Sequence, residues 1–290
     1  MKKRSIDIVV SPRVPHFVGD GFRVQNFIPS AYGLDMKAMD PFIFLDYNAP
    51  FYFEATSTPR GVDVHPHRGF ETVTVAFKGK VAHHDSAGNS GVVEEGGVQW
   101  MTAASGVLHK EYHEKEFAAK GGLFSMAQLW VNLPAKNKMD APKYQGFSKE
   151  DIPEVIVSDG VVVKIIAGQF ATTQGPAYTH SPIELYRIEL DADRMIDLSF
   201  NKTYNTGVLV VEGSIHINDG DVIDVDHFIR MANDAENFTI KATSEVTLLV
   251  LSGKPLDEPI AAQGPFVMNT REELMQAMKD FYEGKFGQLD

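Results

Sequence analysis

Short apolar runs, separated by glycine and polar residues, recur along most of the chain. Thr72 to Phe77, for example, alternates threonine with valine. Such alternation is typical of a strand, because successive side chains point to opposite faces. The runs that predict strands are Ile6 to Val10, Phe42 to Leu45, Thr72 to Phe77, Val81 to Asp85, Val98 to Ala103, Met126 to Leu133, Val155 to Val157, Val161 to Ile166, Ile183 to Leu190, Val208 to Val211, Ile215 to Ile217, Phe238 to Lys241 and Val246 to Leu251. The pattern predicts an all-β protein.

The last segment of the chain, 263–290, follows a different pattern. Its apolar residues at helical spacing are Leu274, Met275, Met278 and Phe281. Thr270 and Glu273 fit a capping box, and Gly284 is a residue type that ends helices. We therefore predict one short helix near the C-terminus.

A faint internal repeat indicates two similar domains. Val73 to Val81 resembles Val208 to Ile215, and each segment places a turn glycine, Gly79 or Gly213, between apolar strands. A duplicated β-barrel is the economical explanation. Residues 135–154 lose the apolar pattern and carry lysines and prolines, which is typical of a linker.

Composition narrows the classes of function. The chain has no cysteine, so thiolate metal ligands, Fe–S clusters, disulfides and a cysteine nucleophile are excluded. The net charge of −12 repels phosphate backbones and argues against direct nucleic-acid binding. No run approaches the roughly 20 apolar residues of a membrane span, and none follows the basic opening Met1 to Arg4 as in a secretory signal. We expect a cytoplasmic protein without membrane contact.

The chemistry-bearing residues lie between Gly61 and Glu111. His65-Pro66-His67 and His109-Lys110-Glu111 each place two metal-ligand side chains at positions i and i+2. On a strand these positions share a face, so two such strands inside one barrel bring three imidazoles and a carboxylate together. Either pair alone is a weak signal. Together they predict a metal site for a borderline or hard cation.

Other readings of the histidines compete with this one. His109 and His113 have the i, i+4 spacing of a zinc-protease helix, but Lys110 stands where that motif needs a glutamate. His83 and His84 precede Asp85 in an expected turn, and we expect both to be exposed. The isolated His16, His180, His216 and His227 are expected to be surface or hydrogen-bonded core residues.

Two further positions bear on the site. Glu71 is either a hydrogen-bond acceptor for an imidazole or an ordinary polar residue. Aligning the repeat on Gly79 and Gly213 places Ser199 and Asn201 where the first copy has His65 and His67. The second barrel is therefore predicted to lack the metal.

Five long motifs resemble the pirin family, whose members are bicupins of the cupin superfamily. They are His65-Pro-His-Arg-Gly-Phe-Glu-Thr72, Gln99-Trp-Met-Thr-Ala103, Gly106-x-x-His109-x-Glu111, Gln128-Leu-Trp-Val-Asn-Leu133 and Gly264-Pro-Phe-Val-Met-Asn-Thr270. The resemblance implies two tandem β-barrel, or jelly-roll, cupin domains and a short C-terminal helix. The implied metal ligands are His65, His67, His109 and Glu111. The departure at Ala104, where a glycine is expected, alters the loop but not the ligands.

The sequence pattern and the resemblance together predict the domain bounds. Residues 1–134 form the N-terminal metal-binding cupin domain and 135–154 the linker. Residues 155–262 form a C-terminal cupin domain without metal, and 263–290 a final strand and helix. A monomer is expected.

The resemblance to bacterial pirins also implies a function, quercetin 2,3-dioxygenase activity. One divalent ion is expected, with Fe(II) as the first choice, and Mn, Ni, Cu, Co or Zn also suit the ligands. A flavonoid and O₂ are the implied substrates, with Glu111 as acceptor of the flavonol proton. The aromatic residues that could form the apolar mouth of the substrate site are Phe51, Phe53, Phe70, Trp100 and Phe124. The alternative is a metal- or redox-dependent regulator that binds a transcriptional or metabolic protein partner without turnover.

Overall fold

The computed structural model describes residues 2–29 and 33–290. The strands are β1 (Ile6–Val10), β2 (His16–Val18), β3 (Phe22–Ile28), β4 (Phe42–Phe53), β5 (Gly61–His67), β6 (Phe70–Lys78), β7 (Val81–Asp85), β8 (Ser90–Val93), β9 (Val98–Thr102), β10 (Val107–His113), β11 (Gly122–Asn132), β12 (Lys143–Phe147) and β13 (Glu154–Ser158). They continue with β14 (Val161–Ala167), β15 (Gln169–Phe170), β16 (Thr173–Gln174), β17 (Ile183–Leu190), β18 (Met195–Ser199), β19 (Asn205–Glu212), β20 (Ser214–Ile217), β21 (Val222–Asp224), β22 (Phe228–Met231), β23 (Asn237–Ala242), β24 (Val246–Gly253), β25 (Ala261–Gln263) and β26 (Phe266–Met268).

Helices are few. They are α1 (Lys115–Lys120), α2 (Arg271–Tyr282) and the 3₁₀ turn Ala135–Asn137. The predicted all-β fold with a short C-terminal helix is confirmed. In the described part of the chain, no helix has the length and apolar character needed to cross a membrane.

The chain forms two compact units, and neither is continuous in sequence. The first barrel unit comprises Val14–Lys37, Phe42–Lys149 and Leu256–Asp290. The second barrel unit comprises Met1–Arg13, Ala38–Pro41 and Glu150–Pro255. These units differ from the predicted domain bounds at both chain ends. The N-terminal β1 pairs with β22, whereas β26 and α2 pack beside β10.

The first barrel unit contains two main antiparallel sheets. Their strand orders are β12-β9-β6-β11-β4-β3-β2 and β5-β10-β7-β8. An apolar cluster joins both sheets, because Val81 of β7 packs with Phe53 of β4 and with Phe124 and Met126 of β11. Strand β12 lies inside the segment predicted as a linker, yet it pairs with β9 from Lys143 to Phe147.

The second barrel unit repeats this plan. Its sheets have the orders β1-β22-β19-β24-β17-β14-β13 and β18-β23-β20-β21, around a core of valine, leucine, isoleucine and phenylalanine. The turn glycines of the internal repeat, Gly79 and Gly213, both adopt positive φ, +81° and +77°. Only glycine adopts such a backbone conformation without strain, which is why the repeat is readable at these positions.

Candidate metal centre

Neighbouring strands place the two ligand motifs side by side. β5 and β10 are antiparallel partners, and their register sets His65 directly opposite His109 and His67 opposite Val107. The register shifts between His109 and Glu111, as in a β-bulge. Such bulges redirect side chains beside functional sites.

The three predicted histidines meet. One ring nitrogen from each of His65, His67 and His109 lies within 4.8 Å of the others. The ring centroids are 4.9 Å apart for His65 and His67, 4.2 Å for His65 and His109, and 4.7 Å for His67 and His109. His67 and His109 are buried, whereas His65 is partly exposed. The cluster is therefore open to solvent on the His65 side.

The surroundings of the two buried imidazoles, those of His67 and His109, favour neutral rings. Burial, and then the neighbouring imidazole of His65, lowers the pKa of His67 well below 6.5. Burial, followed by the rings of His67, His65 and His83, lowers the pKa of His109 in the same way. A neutral imidazole is the form that binds a metal ion.

Hydrogen bonds indicate which nitrogens face the centre. The Nδ1 of His65 lies 2.8 Å from the carbonyl oxygen of Asp63, and that of His67 lies 3.4 Å from the carbonyl of Pro265. Because a carbonyl only accepts, each Nδ1 carries a proton and each Nε2 keeps a free lone pair. The Nε2 of His109 is buried and has no hydrogen-bond partner. These are the features of imidazoles that hold a metal ion through Nε2.

Glu111 lies beside His109 and His83, and is not grouped with His65 and His67. Its carboxylate and one nitrogen each of His83 and His109 lie within 4.8 Å of one another, a second group centred on His109. Gln99 Nε2 donates to Glu111 Oε1, and Thr74 Oγ1 lies 3.4 Å from the same oxygen. No described residue donates to Oε2. One carboxylate oxygen is thus fixed, and the other is free for a ligand or a proton.

The expectation that His83 is exposed is wrong. His83 belongs to β7, has 0% exposure and lies on the inner face of the sheet. Its Nε2 is 3.2 Å from Asp85 Oδ2, its Nδ1 is 3.5 Å from His109 Nδ1, and its ring stacks on Tyr144 at 5.0 Å. Alternation along β7 is the signal in the sequence, because His83 shares a face with the buried Val81 and Asp85.

Tyr144 is a second residue that sequence reasoning missed. It lies on β12, and its hydroxyl donates to Gln99 Oε1 at 3.3 Å. This bond directs the Nε2 of Gln99 toward Glu111. Burial, together with the charges of Glu111 and Asp85, raises the pKa of Tyr144 to about 12, so the hydroxyl stays a donor.

Other candidate residues lie away from the centre or have structural roles. Glu71 accepts a hydrogen bond of 2.6 Å from Thr102 Oγ1. His113 is on strand β10 and its Nε2 lies 2.8 Å from the carbonyl of Gly21, so the helical zinc-protease reading is wrong. Ala104 takes the positive φ of +42° expected of the glycine it replaces.

The aromatic residues divide into two groups. Phe53 and Phe124 pack with Phe51 in an apolar core cluster, and Trp100 is fully buried. Phe70 instead lies 4.9 Å from the ring of His67. Phe70 also stacks on Trp130 at 4.2 Å, and Trp130 stacks on Phe44 at 4.5 Å. Trp130 and Phe44 are partly exposed, so a row of three aromatic rings leads from the surface to the cluster.

The matching positions in the second barrel unit are apolar. Leu198 lies opposite Phe238 as His65 lies opposite His109, so the alignment on the turn glycines, which placed Ser199 there, is one residue off. Glu111 pairs with His83 across β10 and β7, and the corresponding pair across β23 and β20 is Ile240 with Ile217. Both isoleucines are buried in the apolar core. Two imidazole-rich groups of possible ligands occur among the described residues, and both lie in the first barrel unit.

Comparison with known proteins identifies the family. The profile described as Pirin matches residues 21–131, and that of the Pirin C-terminal cupin domain matches residues 185–287. The chain belongs to the pirin family. Its fold is accordingly that of a bicupin.

Relatives of similar length share much of the sequence. A protein of Pseudomonas aeruginosa named "Putative quercetin 2,3-dioxygenase" is 44% identical over 93% of this chain and 94% of its own length. A pirin-like protein of Caulobacter vibrioides is 37% identical over 92% and 94% of the two chains. The crystal structure of quercetin 2,3-dioxygenase from Acinetobacter baumannii is 42% identical, covers 100% of both chains and has a TM-score of 0.94.

The donor set fits one divalent ion. The imidazoles of His65, His67 and His109, with the carboxylate of Glu111 beside His109, can hold it, and the cluster is open on the His65 side. Such a mixed nitrogen and oxygen set suits first-row transition metals, with one imidazole more than the facial triad of non-haem iron oxygenases.

Proposed function

We propose that this protein is a metal-dependent dioxygenase that cleaves flavonols such as quercetin with O₂. The observation that carries the proposal is the convergence of His65, His67 and His109 beside a carboxylate, on a side of the barrel that solvent reaches. Relatives that are 44% and 42% identical over nearly the whole chain carry the quercetin 2,3-dioxygenase name, which supports the same reaction class.

The proposed ligands are His65, His67, His109 and Glu111. Fe(II) is the first choice, and Mn, Ni, Cu, Co and Zn suit the same donors. When bound, the metal supplies a Lewis acid for the flavonol and a redox partner for O₂. The groups of the chain must then bind the flat substrate and accept its proton.

Glu111 is the proposed proton acceptor. Its Oε1 is held by Gln99, whereas Oε2 accepts from no described residue. A proton passes from the flavonol hydroxyl to this oxygen, which makes the flavonolate richer in electrons and more reactive toward O₂. The heterocycle then opens, takes up both atoms of O₂ and releases one carbon as carbon monoxide.

The partly exposed Phe44 and Trp130 are the proposed platform for the flavonol, and the buried Phe70 supports Trp130 from below. Aromatic faces stack with flat aromatic ligands, and Phe70 already lies against the ring of His67. A flavonol stacked on the partly exposed Trp130 would lie beside the cluster. This assignment replaces Phe51, Phe53, Trp100 and Phe124, which belong to the apolar core or are buried.

Oxygen consumption tests the proposal. Protein loaded with each candidate metal is mixed with quercetin, and O₂ uptake and carbon monoxide are measured together. We expect turnover with Fe(II) and a loss of at least 100-fold in kcat for Glu111→Gln, because the carboxylate is removed as proton acceptor. Glu71→Gln is the matched control, since Glu71 bonds Thr102.

Two outcomes would contradict the proposal. One is the absence of turnover with every metal that the protein binds. The other is full activity in Glu111→Gln. The first would favour the alternative, a regulator that binds a protein partner and uses the metal without turnover.

A further inference from the structure

The third imidazole of the cluster differs from the other two in what its Nδ1 contacts. His65 and His67 place Nδ1 against carbonyl oxygens, which can only accept. His109 places Nδ1 3.5 Å from the Nδ1 of another imidazole, that of His83. An imidazole nitrogen either donates or accepts, depending on the tautomer. A further contact of one of these rings must therefore determine whether His83 or His109 donates in this Nδ1 to Nδ1 hydrogen bond.

Asp85 supplies that determinant. Its Oδ2 lies 3.2 Å from the Nε2 of the fully buried His83. Its Oδ1 accepts from the backbone N–H of Ala87 and of Asn89, both at 2.9 Å, and the Asn89 amide donates to both oxygens. A carboxylate held by so many donors acts as an acceptor. The Nε2 of His83 must then carry the proton.

The remaining assignments follow one from another. When the His83 ring carries a single proton, at Nε2, its Nδ1 offers only a lone pair. His109 Nδ1 must then donate to it, and His109 Nε2 is left without a proton. His109 Nε2 is buried and has no hydrogen-bond partner, as expected of a nitrogen whose lone pair is available to bind a cation.

We propose that Asp85 and His83 are positioning residues that fix the proton of His109 on Nδ1 and so present Nε2 to the metal. The inference rests on the proposed function only in taking His109 as a ligand, and it requires no turnover. Metal-binding histidines are commonly oriented by a carboxylate or carbonyl at the other nitrogen. Here a second imidazole lies between the carboxylate and the ligand.

Asp85→Asn is the decisive variant, because the backbone fixes how the new amide is oriented. The backbone N–H groups of Ala87 and Asn89 hold the oxygen, so the amide nitrogen takes the place of Oδ2 and faces His83. The Asn89 side chain, which donates to Oδ2 in the wild type, then turns its amide oxygen to this nitrogen. His83 must then accept at Nε2 and donate at Nδ1. His109 in turn accepts at Nδ1 and carries its proton on Nε2, where the metal should bind.

The test reads the tautomer directly. Long-range ¹H–¹⁵N NMR spectra of histidine-labelled protein, without metal, show which nitrogen of His109 is protonated. We expect Nδ1 in the wild type and Nε2 in Asp85→Asn. Titration with Zn(II) should show an affinity loss of about 10- to 100-fold in Asp85→Asn and in His83→Phe, which keeps the ring stacked on Tyr144.

Matched controls come from the same strand and from the internal repeat. His84→Phe changes the neighbouring histidine, which bonds the Tyr112 hydroxyl instead. Asp219→Asn changes the exposed aspartate that follows the repeated segment in the second barrel unit. Both should bind Zn(II) like the wild type.

Three results would overturn the inference. They are a wild-type His109 protonated at Nε2, unchanged Zn(II) affinity in Asp85→Asn, and two Zn(II) ions per chain with His83 as a ligand. The wild-type NMR spectrum tests the predicted tautomer of His109 even if a variant fails to fold. Wild-type protein with the expected tautomer but no quercetin turnover would contradict the proposed function and leave this inference intact.

Discussion

At the scale of single residues, the carboxylate of Glu111 depends on its neighbour Gln99. The Nε2 of Gln99 donates to Glu111 Oε1 and, at 3.0 Å, to Thr74 Oγ1, while Tyr144 holds the amide oxygen. Each of these bonds comes from a different strand. Without Gln99, the Glu111 carboxylate would lose the hydrogen bond that fixes its orientation.

We predict that Gln99→Met lowers kcat with quercetin about tenfold or more. A hydrogen bond to a charged group contributes roughly 1.5–3 kcal/mol, and each 1.4 kcal/mol corresponds to a factor of about ten. Steady-state O₂ uptake measures the effect, and Zn(II) titration checks that binding is retained. Gln263→Met, on the exposed strand β25, is the control. An unchanged kcat would show that Gln99 does not orient the carboxylate.

That His65, His67 and His109 lie together could be predicted from residue type and spacing, whereas the inward position of His83 could not. His65 and His67 stand at i and i+2, and the same holds for His109 and Glu111. His83 is instead one of two adjacent histidines, and spacing alone cannot tell which faces inward. Its place is decided by the pairing of β7 with β10, which sets His83 opposite Glu111. Long-range register of this kind is absent from a local pattern.

Among the secondary-structure elements, the C-terminal helix α2 was the most predictable. The capping box of Thr270 and Glu273 is confirmed, and the helix starts at Arg271 as that box requires. Strand β12 shows the opposite case. Its sequence, Lys-Tyr-Gln-Gly-Phe, has weak apolar alternation, because only partly buried side chains line an edge strand. Pairing with β9, rather than propensity, makes it a strand.

A buried ion pair holds α2 beside the histidine cluster. Arg68, the residue after His67, is 2.8 Å from Asp280 Oδ2, donates through Nε to the carbonyl of Ser105 and lies over the ring of Phe286. Lys285 also contacts Asp280 at 2.8 Å. The hydrogen bonds from Lys285 and Arg68 lower the pKa of the Asp280 carboxyl well below 3.8.

We predict that Asp280→Asn lowers the free energy of unfolding by on the order of 3 kcal/mol, because it leaves Arg68 as a buried charge without its partner. Since the carboxyl pKa is lower in the folded protein, its stabilising contribution is present above about pH 3.8 and is lost as the pH falls further. Urea unfolding of both proteins from pH 7 to pH 3 measures this. The difference in unfolding free energy between the wild type and Asp280→Asn should shrink as the pH falls. A difference that does not change with pH would show that the ion pair is not its cause.

At the scale of the whole molecule, the apolar clusters that hold the strands together are separate from the proposed metal ligands. The apolar cluster of the first barrel unit contains none of the four proposed ligands. The second barrel unit has the same plan around an apolar core, with Ile217 and Ile240 at two of the equivalent positions. The same arrangement of strands therefore occurs with metal-ligand side chains in one unit and with apolar side chains in the other.

We therefore predict that His67→Ala loses most of its bound metal and stays folded. The lost imidazole removes one proposed ligand, whereas the strands and apolar core remain. Metal analysis measures the first effect and far-UV circular dichroism the second. His180→Ala, in the second barrel unit, is the control. Unfolding of His67→Ala, or of the wild type in a chelator, would instead show that the metal is structural.

The internal repeat was readable in the sequence, but the crossing of the chain ends between units was not. The interaction that fixes the N-terminus involves distant residues with no local pattern. Arg4 is completely buried although its residue type is normally exposed. Its guanidinium donates to the carbonyls of Ala232 and Tyr204 at 2.6 Å, to Thr206 Oγ1 at 2.9 Å and to Asn233 Oδ1 at 2.5 Å.

Arg4→Met tests whether this contact ties β1 into the second barrel unit. The methionine keeps much of the apolar stem but leaves the four acceptors without their donor, and each unsatisfied buried group costs about 1–3 kcal/mol. We expect faster amide hydrogen exchange in β1 and its partner β22, measured by mass spectrometry, and a lower free energy of unfolding. Lys3→Met is the control, because Lys3 is exposed and bonds a single partner, Thr239. Equal exchange in Arg4→Met and Lys3→Met would mean that strand pairing alone, without the buried guanidinium, holds the N-terminus in the barrel.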